Sequence, residues 1–307
     1  MIPLIVIAGP TAVGKSAVAF ELAKRLNTEI ISADSMQVYR CFDIGTAKPS
    51  IERRKEIPHH LIDIVNPDED FSAGDFNERA SAIIKELNQQ GKIPVIAGGT
   101  GLYIKSLIEN LGCGVKKNQE IRNRIKSEFK EIGSEAMYEK LKIIDPSASD
   151  RIHPKDRYRI ERALEVYYAS GKSISEFHRP ERTQNERFRV KYFVLDMERK
   201  LLYKRIEERV DKMVSAGLLS ETKAILNMGY DKNLKPFQSL GYLQMIKYLD
   251  GEMDFDFAVQ EIKKETRRFA KRQLTWFRGV NEAIWIDVLE NGNIEDMSMK
   301  IFRMCHD

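Results

Sequence analysis

The first hundred residues alternate between two hydrophobic patterns. Leu4–Ala8 is a continuous apolar run before a Gly-rich turn, which predicts a buried strand. Ser16–Leu26 follows, with Val18, Leu22 and Leu26 on one helical face. Glu29–Ala33 predicts a second strand ending at Asp34, Leu61–Val65 a third, and Asn77–Gln89 a helix. Pro94–Ala97 predicts a further buried strand that runs into Gly98-Gly99-Thr100-Gly101. Apolar strands alternating with helices predict a parallel sheet covered on both faces. Such sheets bind ligands at the carboxyl ends of their strands. Gly9–Ser16, Asp34 and Thr100 all fall there.

From Val115 to Arg187 the chain is charged and helical in pattern, with no strong strand candidate. A strand then returns at Val190–Leu195, followed by Tyr203–Met228, where Ile206, Val210, Met213 and Val214 predict a long amphipathic helix. The last twenty residues carry no readable pattern, and there are no internal repeats. The predicted fold class is α/β: a P-loop NTPase-like parallel sheet flanked by helices, with a helical insertion domain and a helical C-terminal part. The expected catalytic core spans residues 1–114 and 188–307, and the insertion spans residues 115–187.

Composition narrows the class. With 42% hydrophobic residues and a mean hydropathy of −0.42, the chain reads as an ordinary globular protein. No apolar run approaches the roughly 20 residues of a membrane helix, and the N-terminal strand lacks the features of a signal peptide. A cytoplasmic location is expected. Cys41, Cys113 and Cys305 are far apart and form no metal or disulfide framework. His59, His60, His153, His178 and His306 show no ligand spacing, so structural roles are expected for His59 and His60, with His60 helping to fix the active-site loop.

The net charge of +4 says less than its distribution. Lys263–Arg278 holds seven Lys/Arg and one Glu, with Phe269, Trp276 and Phe277 interleaved, and Arg151–Arg162 is also basic. Two basic patches on a nearly balanced chain point to a polyanion larger than a nucleotide.

Gly9-Pro10-Thr11-Ala12-Val13-Gly14-Lys15-Ser16 stands between a strand and a helix, the context a P-loop requires. Backbone N–H groups and the helix N-terminus would cradle phosphate oxygens. Lys15 adds a full charge, and the Ser16 hydroxyl can ligate Mg²⁺. A P-loop ATPase also places an acidic residue at a strand end to hold Mg²⁺. Pro94–Ala97 is the natural site for it but leads into Gly98-Gly99-Thr100; Asp196 is a weak substitute, and Asp34 has the right location.

Further motifs then become specific: Asp34-Ser35-Met36-Gln37-Val38-Tyr39, Asp43-Ile44-Gly45-Thr46-Ala47-Lys48-Pro49, His59-His60-Leu61-Ile62-Asp63 and Gly98-Gly99-Thr100-Gly101-Leu102-Tyr103. An Arg-rich stretch precedes Ala163-Leu164-Glu165, and Phe237-Gln238-Ser239-Leu240-Gly241-Tyr242 and Arg268–Arg278 complete the series. In this order, over nearly the whole chain, the set resembles the tRNA dimethylallyltransferases. Two departures stand out: Ser16 replaces the commoner Thr, and Cys41 stands where Gly is frequent, in the turn after Tyr39. The chain is similar to the compact bacterial form, without the C-terminal zinc finger of the eukaryotic relatives.

The resemblance implies transfer of a dimethylallyl group from dimethylallyl pyrophosphate to N6 of the adenosine 3′ of a tRNA anticodon, with Mg²⁺ as cofactor. Lys15, Ser16 with Mg²⁺, and Thr100 would hold the departing pyrophosphate, and by resemblance Arg209 reaches the same group. The exocyclic amine must lose a proton as the bond forms, and Asp34 is the candidate general base; its alternative role is that of a Mg²⁺ ligand.

The target adenine must be flipped out of its loop. Aromatic and hydrogen-bonding side chains suited to unstacked bases are found in Lys271, Arg272, Gln273, Trp276 and Arg278, and in Gln238, Ser239, Gly241 and Tyr242. Ser35, Met36 and Gln37 adjoin Asp34, with Gln37 placed to read the adenine or its neighbour. Tyr158-Arg159-Ile160-Glu161-Arg162, with Arg122, suit contact with the anticodon stem-loop backbone. A monomer is expected. Alternatives are an adenylate isopentenyltransferase acting on a free nucleotide, a P-loop small-molecule kinase, and a nucleic-acid-binding NTPase without transferase activity.

Overall fold

The structure, a computed structural model, describes residues 1–110, 115, 118–177, 187–289 and 292–306. Cys113 and His178 lie outside them. The chain forms two compact units, residues 1–107 with 186–307, and residues 108–185.

The larger unit is built on a six-stranded sheet. Its strands are β1 (Ile2–Ala8), β2 (Ile30–Ala33), β3 (His59–His60), β4 (Val95–Gly98), β5 (Phe188–Asp196) and β6 (Ile284–Asp287), in the order β3-β2-β4-β1-β5-β6. Every pairing is parallel. β1, buried from Leu4 onward, lies at the centre, as its unbroken apolar run requires. Helices cover the sheet, and Val18, Leu22, Ile206, Ala270 and Ile301 from four of them share a core cluster with Ile5, Ile7 and Phe193.

Register carries the functional consequence. Ala8 pairs with Gly98, and Gly98 pairs with Ala33, so β1, β4 and β2 end level with one another. Gly9, Asp34 and Thr100 therefore leave the sheet along one edge. Gly98 is needed there because a Cβ would lie 2.2 Å from the Ala33 carbonyl oxygen.

Three expectations are corrected. The third strand is His59–His60, not Leu61–Val65: Leu61 (φ 61°) and Asp63 (φ 56°) adopt left-handed backbone, which breaks any strand, and only Val65 makes an isolated bridge, to Tyr39. The single helix over Tyr203–Met228 is two, Arg199–Ser215 and Leu218–Asn227, separated at Gly217 (φ 98°). The last twenty residues, read as blank, hold the helix Ile294–His306, whose Met297 and Ile301 join the main core. Arg25 Nε donates to Ser298 Oγ at 3.0 Å, fastening that helix to Lys15–Arg25.

The smaller unit is helical. Gln119–Ile144, kinked at Gly133, and Arg157–Ser170 enclose Ile125, Phe129, Met137, Leu141, Ile160 and Leu164. The buried Glu165 carboxylate, 1% exposed, accepts from Arg122 Nε and Arg162 Nη1, both at 2.9 Å. Among the described residues no helix is long and apolar enough to cross a membrane.

Candidate active site

The P-loop follows β1 directly. Gly9 (φ 142°), Ala12 (φ 66°) and Gly14 (φ 109°) take left-handed or related backbone, and a Cβ on Gly9 would lie 2.5 Å from the Leu195 carbonyl oxygen. Gly14 caps the helix that begins at Lys15, which aims the helix N-terminus at the loop's cavity. Lys15 Nζ donates to the Pro10 carbonyl at 2.6 Å. Burial, reinforced by the Arg209 charge and opposed by Asp34, pushes the Lys15 ammonium down to about 7. Arg209 is also lowered by burial, again against the pull of Asp34. The helix Arg199–Ser215 thus brings Arg209 into the field of Lys15 and Asp34, while Arg205, one turn earlier, reaches the Val13 carbonyl at 3.5 Å.

Asp34 follows β2 in a tight turn. Its Oδ1 accepts the N–H groups of Met36 at 2.9 Å and Gln37 at 3.3 Å. Thr100 stands opposite, where its Oγ1 accepts the N–H of Ser35 at 3.0 Å and its own N–H donates to Ala33 at 3.1 Å. P-loop, Asp34 and Thr100 form one edge, as the sequence reading expected.

Several residues expected to meet RNA are spent inside the fold. Gln37 is buried; its Oε1 accepts from Ser32 Oγ at 3.0 Å, and its Nε2 donates to the Thr46 and Ala47 carbonyls. Gln273 is buried between two loops. Tyr242 is fully buried and donates to Glu221, while its oxygen accepts the Gly45 N–H at 3.0 Å. Gly241 (φ 93°) starts the helix Tyr242–Leu249, and its N–H is bound by Gln244 Oε1. Gln238 is exposed, with its Nε2 donating to the Lys232 carbonyl, and the half-buried Ser239 Oγ donates to the Pro236 carbonyl. In the smaller unit Ile160 is core, Glu161 pairs with Arg157, and Arg122 and Arg162 grip Glu165. Tyr158, Arg159, Lys271, Arg272, Trp276 and Arg278 are exposed.

Glu221 has no counterpart in the sequence reading. Its carboxylate accepts the N–H groups of Asp43, Ile44 and Gly45 at 2.9–3.4 Å, filling a backbone anion nest from the C-terminal half. Lys48, in the same loop, is buried and bonds Asp43 Oδ1 at 2.8 Å and Asp63 Oδ1 at 2.5 Å. His60 pairs with Glu29 at 2.7 Å, and Lys92 holds the same carboxylate, so this histidine braces the sheet edge. His59 stacks on Phe20 and bonds the Ile57 carbonyl.

Ser16 opens onto a cleft of about 300 Å³ that Phe20, Lys48, Arg53 and His59 also line. No cluster of three or more His, Cys, Asp or Glu among the described residues could hold a metal. One exposed hydroxyl beside a phosphate loop fits Mg²⁺, which keeps its waters and takes further oxygens from a bound phosphate.

The family model for IPP transferase matches residues 37–280. The chain belongs to the IPP transferase family. It is 49% identical over 289 residues to a tRNA dimethylallyltransferase of Syntrophobacter fumaroxidans, covering 94% of this chain and 84% of that protein. A tRNA dimethylallyltransferase of Alkaliphilus oremlandii is 47% identical over 301 residues, 98% of this chain and 96% of the other. Among solved structures, the tRNA isopentenylpyrophosphate transferase of Bacillus halodurans aligns with a TM-score of 0.72 at 40% identity, over 100% of this chain and 96% of that one. A eukaryotic dimethylallyltransferase acting on tRNA aligns with a TM-score of 0.84 at 27% identity, over 98% and 78%. In this chain β4 ends in Gly98-Gly99-Thr100, with no acidic residue there.

Proposed function

We propose that this chain transfers a dimethylallyl group from dimethylallyl pyrophosphate to N6 of the adenosine adjacent to the anticodon in tRNA. The new bond joins N6 to C1 of the dimethylallyl group, the C1–oxygen bond to pyrophosphate breaks, and the amine gives up one proton. The observation that carries the reading is the common edge of P-loop, Asp34 and Thr100 set by the Ala8–Gly98–Ala33 register. A phosphate grip and a carboxylate facing one space suit a reaction in which pyrophosphate leaves and an amine is deprotonated.

In this reading Asp34 takes the proton, with Oδ1 anchored by Met36 and Gln37. Thr100, Lys15 and Arg209 hold the leaving group, whose developing charge is met by donors fixed in advance. Ser16 would ligate Mg²⁺, which when bound neutralises pyrophosphate charge. Flipping the adenine costs a few kcal/mol, which exposed Trp276, Lys271, Arg272 and Arg278 offset through stacking and phosphate contact. Tyr158 and Arg159 offer a second contact on the helical unit. In this reading the enzyme works in the cytoplasm, where its acceptor RNA is found, and as a monomer.

The test is direct. Protein, Mg²⁺, dimethylallyl pyrophosphate and unmodified tRNA are incubated, and the digested nucleosides are weighed. An adenosine heavier by one dimethylallyl group is expected. Modification of AMP or ATP in preference to an anticodon stem-loop supports the free-nucleotide alternative, and ATP-dependent phosphoryl transfer supports the kinase.

A further inference from the structure

Gln273 lies on the buried side of the helix Phe255–Arg278, with Ala258, Ile262, Thr266, Ala270 and Phe277. Its Oε1 accepts the Thr11 N–H at 2.8 Å, and its Nε2 donates to the Gly99 carbonyl at 3.0 Å. A backbone N–H can only donate and a carbonyl only accept, so these two partners fix which way the carboxamide points. One side chain therefore ties the P-loop to the loop that carries Thr100.

The fit around Thr100 is close on both sides. A Cβ on Gly99 would lie 2.2 Å from Gln273 Nε2, and one on Gly101 would lie 2.0 Å from Trp276 Nε1. The same helix turns therefore clamp the two glycines that flank Thr100. Lys271 and Arg272 project from the exposed side of these turns. The Thr11 N–H is committed to Gln273 in this arrangement, so Gln273 serves the loop's shape.

We propose that Gln273 is a positioning residue for group transfer: it sets the spacing between the P-loop and Thr100, and does not read the RNA. The inference rests on the prenyl-transfer reading. The physical reason is steep sensitivity of such sites to geometry, since a displacement of about 1 Å costs on the order of 10²-fold in rate. Losing both bonds frees two loops to drift apart at the place where the leaving group is gripped.

The experiment compares Gln273→Met, which keeps length without polar atoms, with the unaltered protein. Dimethylallyl pyrophosphate and tRNA are varied separately. We expect kcat to fall roughly tenfold to a hundredfold and KM for dimethylallyl pyrophosphate to rise, with KM for tRNA changed by less than about twofold. A raised KM for tRNA with kcat preserved would overturn the proposal. A double-mutant cycle keeps it testable if Gln273→Met folds poorly. Gly99→Ala should be as damaging as Gln273→Ala alone, yet add less than about twofold in the Gln273→Ala background, because the colliding atom is gone. Fully additive losses overturn it.

Calorimetry with inorganic pyrophosphate and Mg²⁺, without RNA, separates this inference from the functional reading. Pyrophosphate should bind Gln273→Met at least about fivefold more weakly, by the same geometric argument. Unchanged affinity counts against positioning. Failure of the unaltered protein to prenylate tRNA, with pyrophosphate binding intact, counts against the reaction alone.

Discussion

The Ser35 N–H donates to the Thr100 hydroxyl oxygen at 3.0 Å, joining the turn that holds Asp34 to the end of β4. With its oxygen engaged this way, the Thr100 hydroxyl can send its own proton toward a leaving group. Thr100→Val removes both functions while keeping shape. It should lower kcat/KM for dimethylallyl pyrophosphate by about tenfold to a hundredfold, roughly 1.4–2.7 kcal/mol of transition-state stabilisation. Thr100→Ser should stay within a fewfold, and steady-state assays of the pair check the claim.

Asp34→Asn separates basicity from structure. The amide oxygen can still accept from Met36 and Gln37, as Oδ1 does now. Turnover under single-turnover conditions should drop by about 10²–10⁴, while tRNA affinity measured by filter binding remains near that of the unaltered protein. Near-normal turnover would remove Asp34 as the base.

Lys15 gives a pH signature. Burial, with Arg209, lowers it in the folded protein from 10.5 to about 7, so between those values the unfolded chain binds more protons than the folded one. Stability of the ligand-free protein should therefore rise as pH climbs from about 7 toward 10, as read from urea midpoints. Pyrophosphate binding restores the charge, so at pH 8 it should take up protons. Isothermal titration in buffers of different ionisation enthalpy detects this, and Lys15→Met should abolish the uptake.

The Glu221 nest gives a stability prediction. Glu221→Ala strands the Asp43 and Ile44 N–H groups and the proton of the buried Tyr242 hydroxyl, while the Gly45 N–H keeps its bond to the Tyr242 oxygen. Each group left unpaired costs about 1–3 kcal/mol where water cannot reach it. The loss should appear as a lower urea midpoint, and Tyr242→Phe should show a smaller one. Asp43–Ala47 also anchors Gln37, so Glu221→Ala should slow turnover more than Tyr242→Phe.

Much of this protein was legible along the chain. β1, β2 and β4 are mainly apolar runs buried on both faces, and β5 is buried over Tyr192–Leu195, so their place in the sheet follows from their apolar character. The P-loop, Asp34 and Thr100 are local signals, each a few residues long beside a strand end. Where the sequence reading failed, local backbone was the cause: left-handed Leu61 and Asp63 ended a strand, and Gly217 cut a helix. Cys41, in the turn after Tyr39, adopts φ 71°, backbone that favours Gly.

The side-chain roles are another matter. A Gln in a basic motif and a Gln three residues after Asp34 look alike to a reader of sequence, as candidates for reading a base. Only the tertiary structure turned both inward: Gln273 binds backbone groups of two distant loops, and Gln37 binds the Ser32 hydroxyl and the Thr46 and Ala47 carbonyls, partners that carry no sequence signal. Glu221 was invisible for the same reason, since any residue type can offer the N–H groups it binds. Sequence by itself determined the elements and the phosphate grip, through periodicity and contiguous motifs. The three-dimensional fold decided which polar groups remain available, through long-range hydrogen bonds that leave no periodic trace.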